Sequence, residues 1–168
     1  MPIDRSPTAW PNDWDERRRG VGCVACADGR PDAIPDGERI FAGATSDAYL
    51  SRSSAARGYT LLSWRGRHVS ELTDLLPDEL SSYMQELVTV CRAIESYYRP
   101  LKLNLLLLGN SMPHLHVHIV PRYWEDPNPG RPPRFMMEEG EWPMIGEDDY
   151  QSQLRALRAL LGQDTTPP

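Results

Sequence analysis

No apolar run in this sequence approaches the roughly 20 residues that a membrane-spanning helix needs. The first twenty residues, MPIDRSPTAWPNDWDERRRG, lack the apolar core of a secretory signal. There are three cysteines, Cys23, Cys26 and Cys91, which suit a compartment where thiols stay reduced better than a disulfide scaffold. A cytoplasmic protein without a membrane partner is therefore expected. Internal repeats and low-complexity blocks are also missing. A formal net charge of −6 argues against a nucleic-acid polymer held over a broad surface, yet leaves room for one nucleotide in a locally neutral or basic pocket. The basic run Arg17-Arg18-Arg19 sits beside Asp13, Asp15 and Glu16 and reads as a solvated stretch.

What is present fits one domain. At 168 residues, with 40% hydrophobic and 25% charged residues, the chain is long enough for a proper core. Residues 1–20, rich in proline, charge and tryptophan, read as an arm; residues 21–162 as a single domain; residues 163–168 as a frayed tail. Glu38 to Ala42 and Ala48 to Ser51 read as a hairpin around residues 43–47, and residues 58–64 as a third strand. The spacing of Leu80, Tyr83, Met84, Leu87, Cys91, Ile94 and Tyr98 predicts a helix over 77–98 with one apolar face. Pro77 suits its first turn, Asp78 and Glu79 suit the positive end of its dipole, and Pro100 stops it. Leu76 cannot cap, so Asp74 is the candidate start. Residues 102–108 read as a central strand, 124–146 (with Met136 and Met137) as a long irregular segment of the kind that is functional or mobile, and 147–161 as an amphipathic helix. The pattern is that of an α+β fold.

Histidine is scarce: four residues in all, three of them in His114-Leu115-His116-Val117-His118-Ile119-Val120. Extended chain sends alternate side chains to opposite faces, so the segment reads as a strand with three imidazoles on one side and an apolar back. Near neutral pH imidazole is a nucleophile, a proton carrier and a metal ligand, and a row of three is a chemical site. Cys23-Val24-Ala25-Cys26 has the spacing of half a zinc site, with His68 and His114 as candidates for the other ligands. Closing a loop of about 40 residues costs on the order of 3 kcal/mol. Structural zinc returns roughly 10–16 kcal/mol apparent, so geometry decides. The alternatives are a reduced pair of thiols with His68 as a hydrogen-bond partner, and a redox centre. The redox motif belongs at the start of a helix after a strand, and residues 27–31 do not read as a helix.

The run His-Φ-His-Φ-His-Φ-Φ at 114–120, with Φ apolar, resembles the signature of the histidine-triad (HIT) family of nucleotide hydrolases and transferases. The flanks, residues 108–113 and 121–123, look like its diadenosine-polyphosphate-hydrolase-like branch. The resemblance covers about residues 23–133. It implies a HIT-like fold, a roughly five-stranded antiparallel sheet with one long and one C-terminal helix, and a homodimer. It implies that His116 is the nucleophile, forming a nucleotidyl-histidine that water hydrolyses, with its other ring nitrogen held by a main-chain carbonyl. His118 is then a hydrogen-bond donor to the phosphate or leaving group, and His114 completes the triad. The substrate expected is a dinucleoside polyphosphate or a nucleoside phosphoramidate. Nucleotidyl transfer or phosphorolysis through the same intermediate, and a nucleotide-binding regulatory role, are the alternatives. The transferase branch has glutamine at the third triad position, where this chain keeps histidine. Asn110 and Ser111 fall where relatives carry Gln-Ser and would bind the phosphate, although Gly109-Asn110 is also a common turn pair. Ser51 and Ser53 fall in the ribose region, where relatives often have an acid at the position of Ser51. Arg122 suits either a phosphate contact or a surface position. Zinc-containing relatives imply structural zinc on Cys23, Cys26, His68 and His114.

Overall fold

The computed structural model describes residues 9–127, 129–133 and 142–163. Met136 and Met137 and residues 164–168 lie outside the described residues. In chain order the elements are α1 (Trp14–Arg18), α2 (Val24–Ala27), β1 (Ala33–Ile34), β2 (Gly37–Ala42), β3 (Ser46–Ser51), β4 (Thr60–Trp64), a 3-10 turn (Leu72–Asp74), α3 (Pro77–Tyr98), β5 (Lys102–Leu106), β6 (His116–Arg122) and α4 (Glu147–Leu160). The strands form one antiparallel sheet in the order β1-β2-β3-β4-β6-β5. The five expected strands are all there, but β5, expected to be central, is an edge strand that pairs with β6 and ends at Leu106, with Lys102 and Leu105 exposed. The sixth, β1, is a two-residue edge that extends the hairpin.

One face of this sheet is covered. Ala48, Leu50, Leu62, Val117 and Ile119 meet Tyr83, Leu87, Val90 and Ile94 of α3 and Tyr150, Leu154 and Leu157 of α4 in a single buried cluster. Strand register then sends Tyr49, Leu61, Ser63, His116 and His118 to the opposite face. The alternation legible at 115–119 thus separates core from site.

Several element ends differ from expectation, for reasons visible in side-chain bonding. Asp74 does not start α3: its carboxylate accepts the Ser70 and Glu71 N–H groups at 3.3 and 3.1 Å, closing the separate 3-10 turn. At α3 the carboxylate of Glu79 accepts the Leu76 N–H at 2.8 Å instead. Ser46 and Asp47, expected in a turn, are the first residues of β3, because their polar groups have tertiary partners. Ser46 Oγ donates to Glu86 of α3 at 2.5 Å, and the same carboxylate accepts the Ala44 and Thr45 N–H groups. A Cβ on Gly43 would lie 2.4 Å from that carboxylate, so a larger residue there would push on Glu86. Gln163, expected in the frayed tail, is docked by its side-chain carbonyl on the Ala42 N–H at 3.1 Å.

One buried hydroxyl helps to fasten helix α4 to the sheet. Tyr150 Oη donates to the Leu50 carbonyl at 2.7 Å and accepts the Glu38 N–H at 2.8 Å, from a fully buried ring. Replacing Tyr150 with Phe keeps the ring and strands both backbone groups, a loss of about 1–3 kcal/mol. A fall in the urea midpoint with an unchanged slope checks this.

Candidate functional site

Strand β6 begins at His116, two residues later than the histidine pattern suggests. His114 and Leu115 precede it, and Leu115 is clamped by its N–H on the Val69 carbonyl at 2.8 Å and by its carbonyl on the Trp64 N–H at 3.0 Å. The three imidazoles therefore do not form one uniform row. The His116 and His118 rings lie 4.8 Å apart and edge-on. The His114 ring turns to the N-terminal knuckle, 5.6 Å from the His68 ring.

At the knuckle, His114 Nδ1 lies 3.5 Å from Cys23 Sγ and 3.6 Å from Cys26 Sγ, and His68 Nδ1 lies 3.4 Å from Cys26 Sγ. All four donor atoms fall within 4.8 Å of one another. Tetrahedral zinc with ordinary Zn–S and Zn–N lengths would separate sulfur from nitrogen by about 3.5 Å, so the residues fit that ion. Both histidines have their other nitrogen engaged, His114 Nε2 on the Trp64 carbonyl at 2.9 Å and His68 Nε2 on the Arg18 carbonyl at 3.2 Å. Such bonds fix the tautomer that leaves Nδ1 free to ligate. Burial and the neighbouring Cys23 push the Cys26 thiol up to about 11, so the Cys26 sulfur needs a cation to become a thiolate at neutral pH. Four protein ligands leave no open position, which makes such a metal structural.

No spacing along the chain points to what holds the knuckle down. Asp47 is fully buried and pairs with Arg65 Nε at 2.5 Å and Arg30 Nη2 at 2.6 Å. Arg65 in turn donates to the carbonyls of Ala25 and Gly29, on either side of Cys26. The arm docks on the same cluster. Gly20 has φ +90°, and a Cβ there would lie 2.8 Å from the His68 ring. A cavity of about 230 Å³ lies between the arm and the loop before the histidines, with Arg17, Gly22, Cys23, Ser111 and Pro113 among its walls. Cys23 is followed at once by the one-turn helix α2, which ends at Ala27, so residues 28–31 are outside a helix as expected. No strand precedes Cys23 among the described residues, and the redox arrangement is not met.

On the sheet, His116 Nδ1 donates to the His114 carbonyl at 2.6 Å, and its Nε2 lies 3.1 Å from His118 Nε2. Burial lowers the pKa of both rings, that of His118 to about 4, so both are neutral at pH 7. His118 Nδ1 is 2.7 Å from the hydroxyl of Tyr59, whose ring stacks on the imidazole. Tyr59 is a site residue that the sequence pattern marks only as part of a strand; its position two residues before Leu61, which pairs with His118, is the available signal. Ser111 is half-buried and Asn110 exposed, on the loop leading to His114. Ser51 Oγ accepts the Ser53 N–H at 3.1 Å and Ser53 Oγ the Ala55 N–H at 3.2 Å, so both hydroxyls brace their own loop. Arg122 is buried rather than on the surface, its guanidinium held by Asp126 at 2.6 Å, Asn104 at 2.7 Å and the Arg131 carbonyl at 3.0 Å.

The sequence matches the HIT domain family over residues 36–125. The chain belongs to that family. A protein of Bacillus subtilis named "Protein hit" is 30% identical over 81 residues, which cover 45% of this chain and 55% of that protein, so the match spans about half of its length. The crystal structure of a histidine triad protein from Bradyrhizobium japonicum is 27% identical, covering 75% of this chain and 91% of that one with a TM-score of 0.67. A zinc-bound histidine triad family protein from Mycobacterium smegmatis shares the fold at 24% identity and a TM-score of 0.59, over 85% of this chain and 95% of that one. HIT family proteins bind nucleotides and are generally hydrolases or transferases.

Purified protein is expected to carry one zinc per chain and Cys23→Ser none, by elemental analysis. Asp47→Asn, which touches no ligand, is expected to weaken metal retention against a chromogenic chelator by about tenfold or more, as loss of supporting bonds does.

Proposed function

We propose that this HIT protein is a nucleotide hydrolase that cleaves a dinucleoside polyphosphate or a nucleoside phosphoramidate through a nucleotidyl-histidine on His116, as its diadenosine-polyphosphate-hydrolase-like flanks suggest. The observation that carries the reading is the His116 Nδ1–H on the His114 carbonyl at 2.6 Å. A carbonyl can only accept, so Nδ1 holds the proton and Nε2 keeps its lone pair. A buried neutral imidazole of fixed tautomer is suited to nucleophilic attack.

In this reading the Nε2 lone pair forms a bond to phosphorus while the bond from phosphorus to the leaving oxygen or nitrogen breaks. A leaving group that needs a proton takes it from His118 Nε2–H. Water then attacks the same phosphorus, returns the electron pair to His116 Nε2 and gives its proton back to His118. His118 Nε2, 3.1 Å from the nucleophilic nitrogen, is placed to hydrogen-bond the phosphate or leaving atom. Ser111 and Asn110 offer neutral donors from the preceding loop, each typically worth a few kcal/mol of barrier where it meets developing charge. Ser51 and Ser53 accept locally and keep their hydroxyl protons for a ribose. Zinc at Cys23, Cys26, His68 and His114 would supply no chemistry; it would fix the His114 backbone that orients His116.

The expected homodimer has a surface that suits it. Leu80, Met84 and Val88 are exposed along α3, on the flank away from Glu86, and Leu105 is exposed on the edge strand β5. An apolar helix stripe beside an edge strand is a face that proteins cover.

Release of AMP from a diadenosine polyphosphate in water is expected of the wild type, and a loss of about a thousandfold or more in His116→Ala. Turnover only on adding phosphate or a sugar phosphate would make the enzyme a transferase. Nucleotide binding with no turnover to lose would make it a regulatory binder. Light scattering is expected to give twice the chain mass, and Met84→Glu to give the monomer.

A further inference from the structure

We infer that Tyr59 is a positioning residue, whose hydroxyl proton on His118 Nδ1 keeps the His118 Nε2–H aimed at the reacting phosphate. The inference rests on the reading of His116 as nucleophile. It follows from donor and acceptor logic along one chain of hydrogen bonds.

The chain begins at the His114 carbonyl, which can only accept, so His116 Nδ1 carries the proton. A neutral His116 then has a bare Nε2. The partner at 3.1 Å, His118 Nε2, must be the donor. A neutral His118 that is protonated on Nε2 has a bare Nδ1, and the partner at 2.7 Å, the Tyr59 hydroxyl, must donate to it. Every proton between Tyr59 and the backbone is thereby assigned.

The importance of Tyr59 rises when substrate arrives. Once the His116 Nε2 lone pair is committed to phosphorus, it no longer accepts from His118. The contact that selected the His118 tautomer is then gone, and the Nε2–H is free to turn to a phosphate or leaving-group oxygen. What still orients the ring is Tyr59, through the hydroxyl at one nitrogen and the stacked ring, 5.9 Å between centroids at 18°. A phenol that donates to Nδ1 also polarises the imidazole, strengthening the opposite N–H as a donor. Tyr59 is the residue before β4, next to Gly58, whose φ of +80° turns the chain into the strand. Its backbone is tied at both ends, the N–H donating to the Ala56 carbonyl at 3.0 Å and the carbonyl accepting the Ser51 N–H at 2.9 Å.

The test uses full-length, metal-replete protein labelled with ¹⁵N-histidine. Long-range ¹H–¹⁵N spectra are expected to show His116 protonated on Nδ1 and His118 on Nε2, with the bare His118 Nδ1 at the shift of a hydrogen-bonded nitrogen. In Tyr59→Phe that Nδ1 resonance should move to the position of an unbonded ring nitrogen, with the melting temperature kept within a few degrees. Turnover of a diadenosine polyphosphate should fall in kcat by about five- to tenfold, the value of one hydrogen bond, with KM unchanged. A wild-type His118 protonated on Nδ1, or a resonance and kcat indifferent to Tyr59→Phe, would overturn the inference. Full turnover by His116→Ala would overturn instead the hydrolase reading beneath it, whatever the spectra show.

Discussion

The structure turns on His114, which serves two environments at once. Its ring Nδ1 faces Cys23 and Cys26, its Nε2 is tied to the Trp64 carbonyl, and its own carbonyl receives His116 Nδ1–H. A ring held at both nitrogens cannot rotate without losing its contact with the two sulfurs or its bond to the Trp64 carbonyl. The backbone beneath it is correspondingly fixed, and so is the acceptor that decides the tautomer of His116. This couples a knuckle near the N-terminus to a nitrogen on the central sheet through one residue. It also explains why β6 starts only at His116: a regular strand from His114 would give up the local bonds that turn this ring to the sulfurs.

The knuckle and the arm form a second layer of the same constraint. Cys23 and Cys26 lie far from His114 in sequence, and α2 is a single turn with no buried residue of its own. Its position comes from outside, through Arg65 on its carbonyls and Asp47 behind Arg65. A fully buried carboxylate shared by two guanidiniums is costly to desolvate and more costly to break. The arrangement gives specificity of placement more than net stability, which is what a ligand set assembled from remote segments requires.

Patterns that repeat along the chain are legible in the residues alone. The alternation at 114–120 marks the face of the sheet on which the imidazoles lie, and the spacing of Tyr83, Leu87 and Ile94 marks the full extent of α3. What such patterns miss is bonding between segments remote in sequence. Asp47 and Ser46 look like turn residues because Asp and Ser favour turns; only their partners, Arg65 and Glu86, make them strand. Arg122 suits a phosphate ligand and a surface residue equally well on sequence grounds, and its burial against Asp126 and Asn104 makes it a brace for the chain after β6. Tyr59 is hidden for a related reason. Tyrosine is an ordinary strand residue, and nothing along the chain marks its hydroxyl as the partner of His118.

Charge on the sheet face opposite α3 and α4 leads to the same view of how phosphate would be met. Several guanidiniums are already engaged, Arg30 and Arg65 on Asp47, Arg39 on Asp32, Arg52 on Glu38 and Glu147, Arg122 on Asp126, and Arg57 lies over the Tyr123 ring. The imidazoles of His116 and His118 are neutral through burial. On the proposed reading, a phosphate that reaches His116 is therefore met by oriented neutral donors, His118 Nε2–H and the Ser111 hydroxyl, rather than by a salt bridge. Neutral donors bind a ground-state phosphate only modestly. Their hydrogen bonds strengthen as charge moves onto the leaving and non-bridging oxygens, and donors already held in place need no reorganisation at that moment. On that reading, holding these guanidiniums on the protein's own carboxylates costs little in catalysis. The work passes to dipoles whose direction the His114 carbonyl and the Tyr59 hydroxyl set from either end.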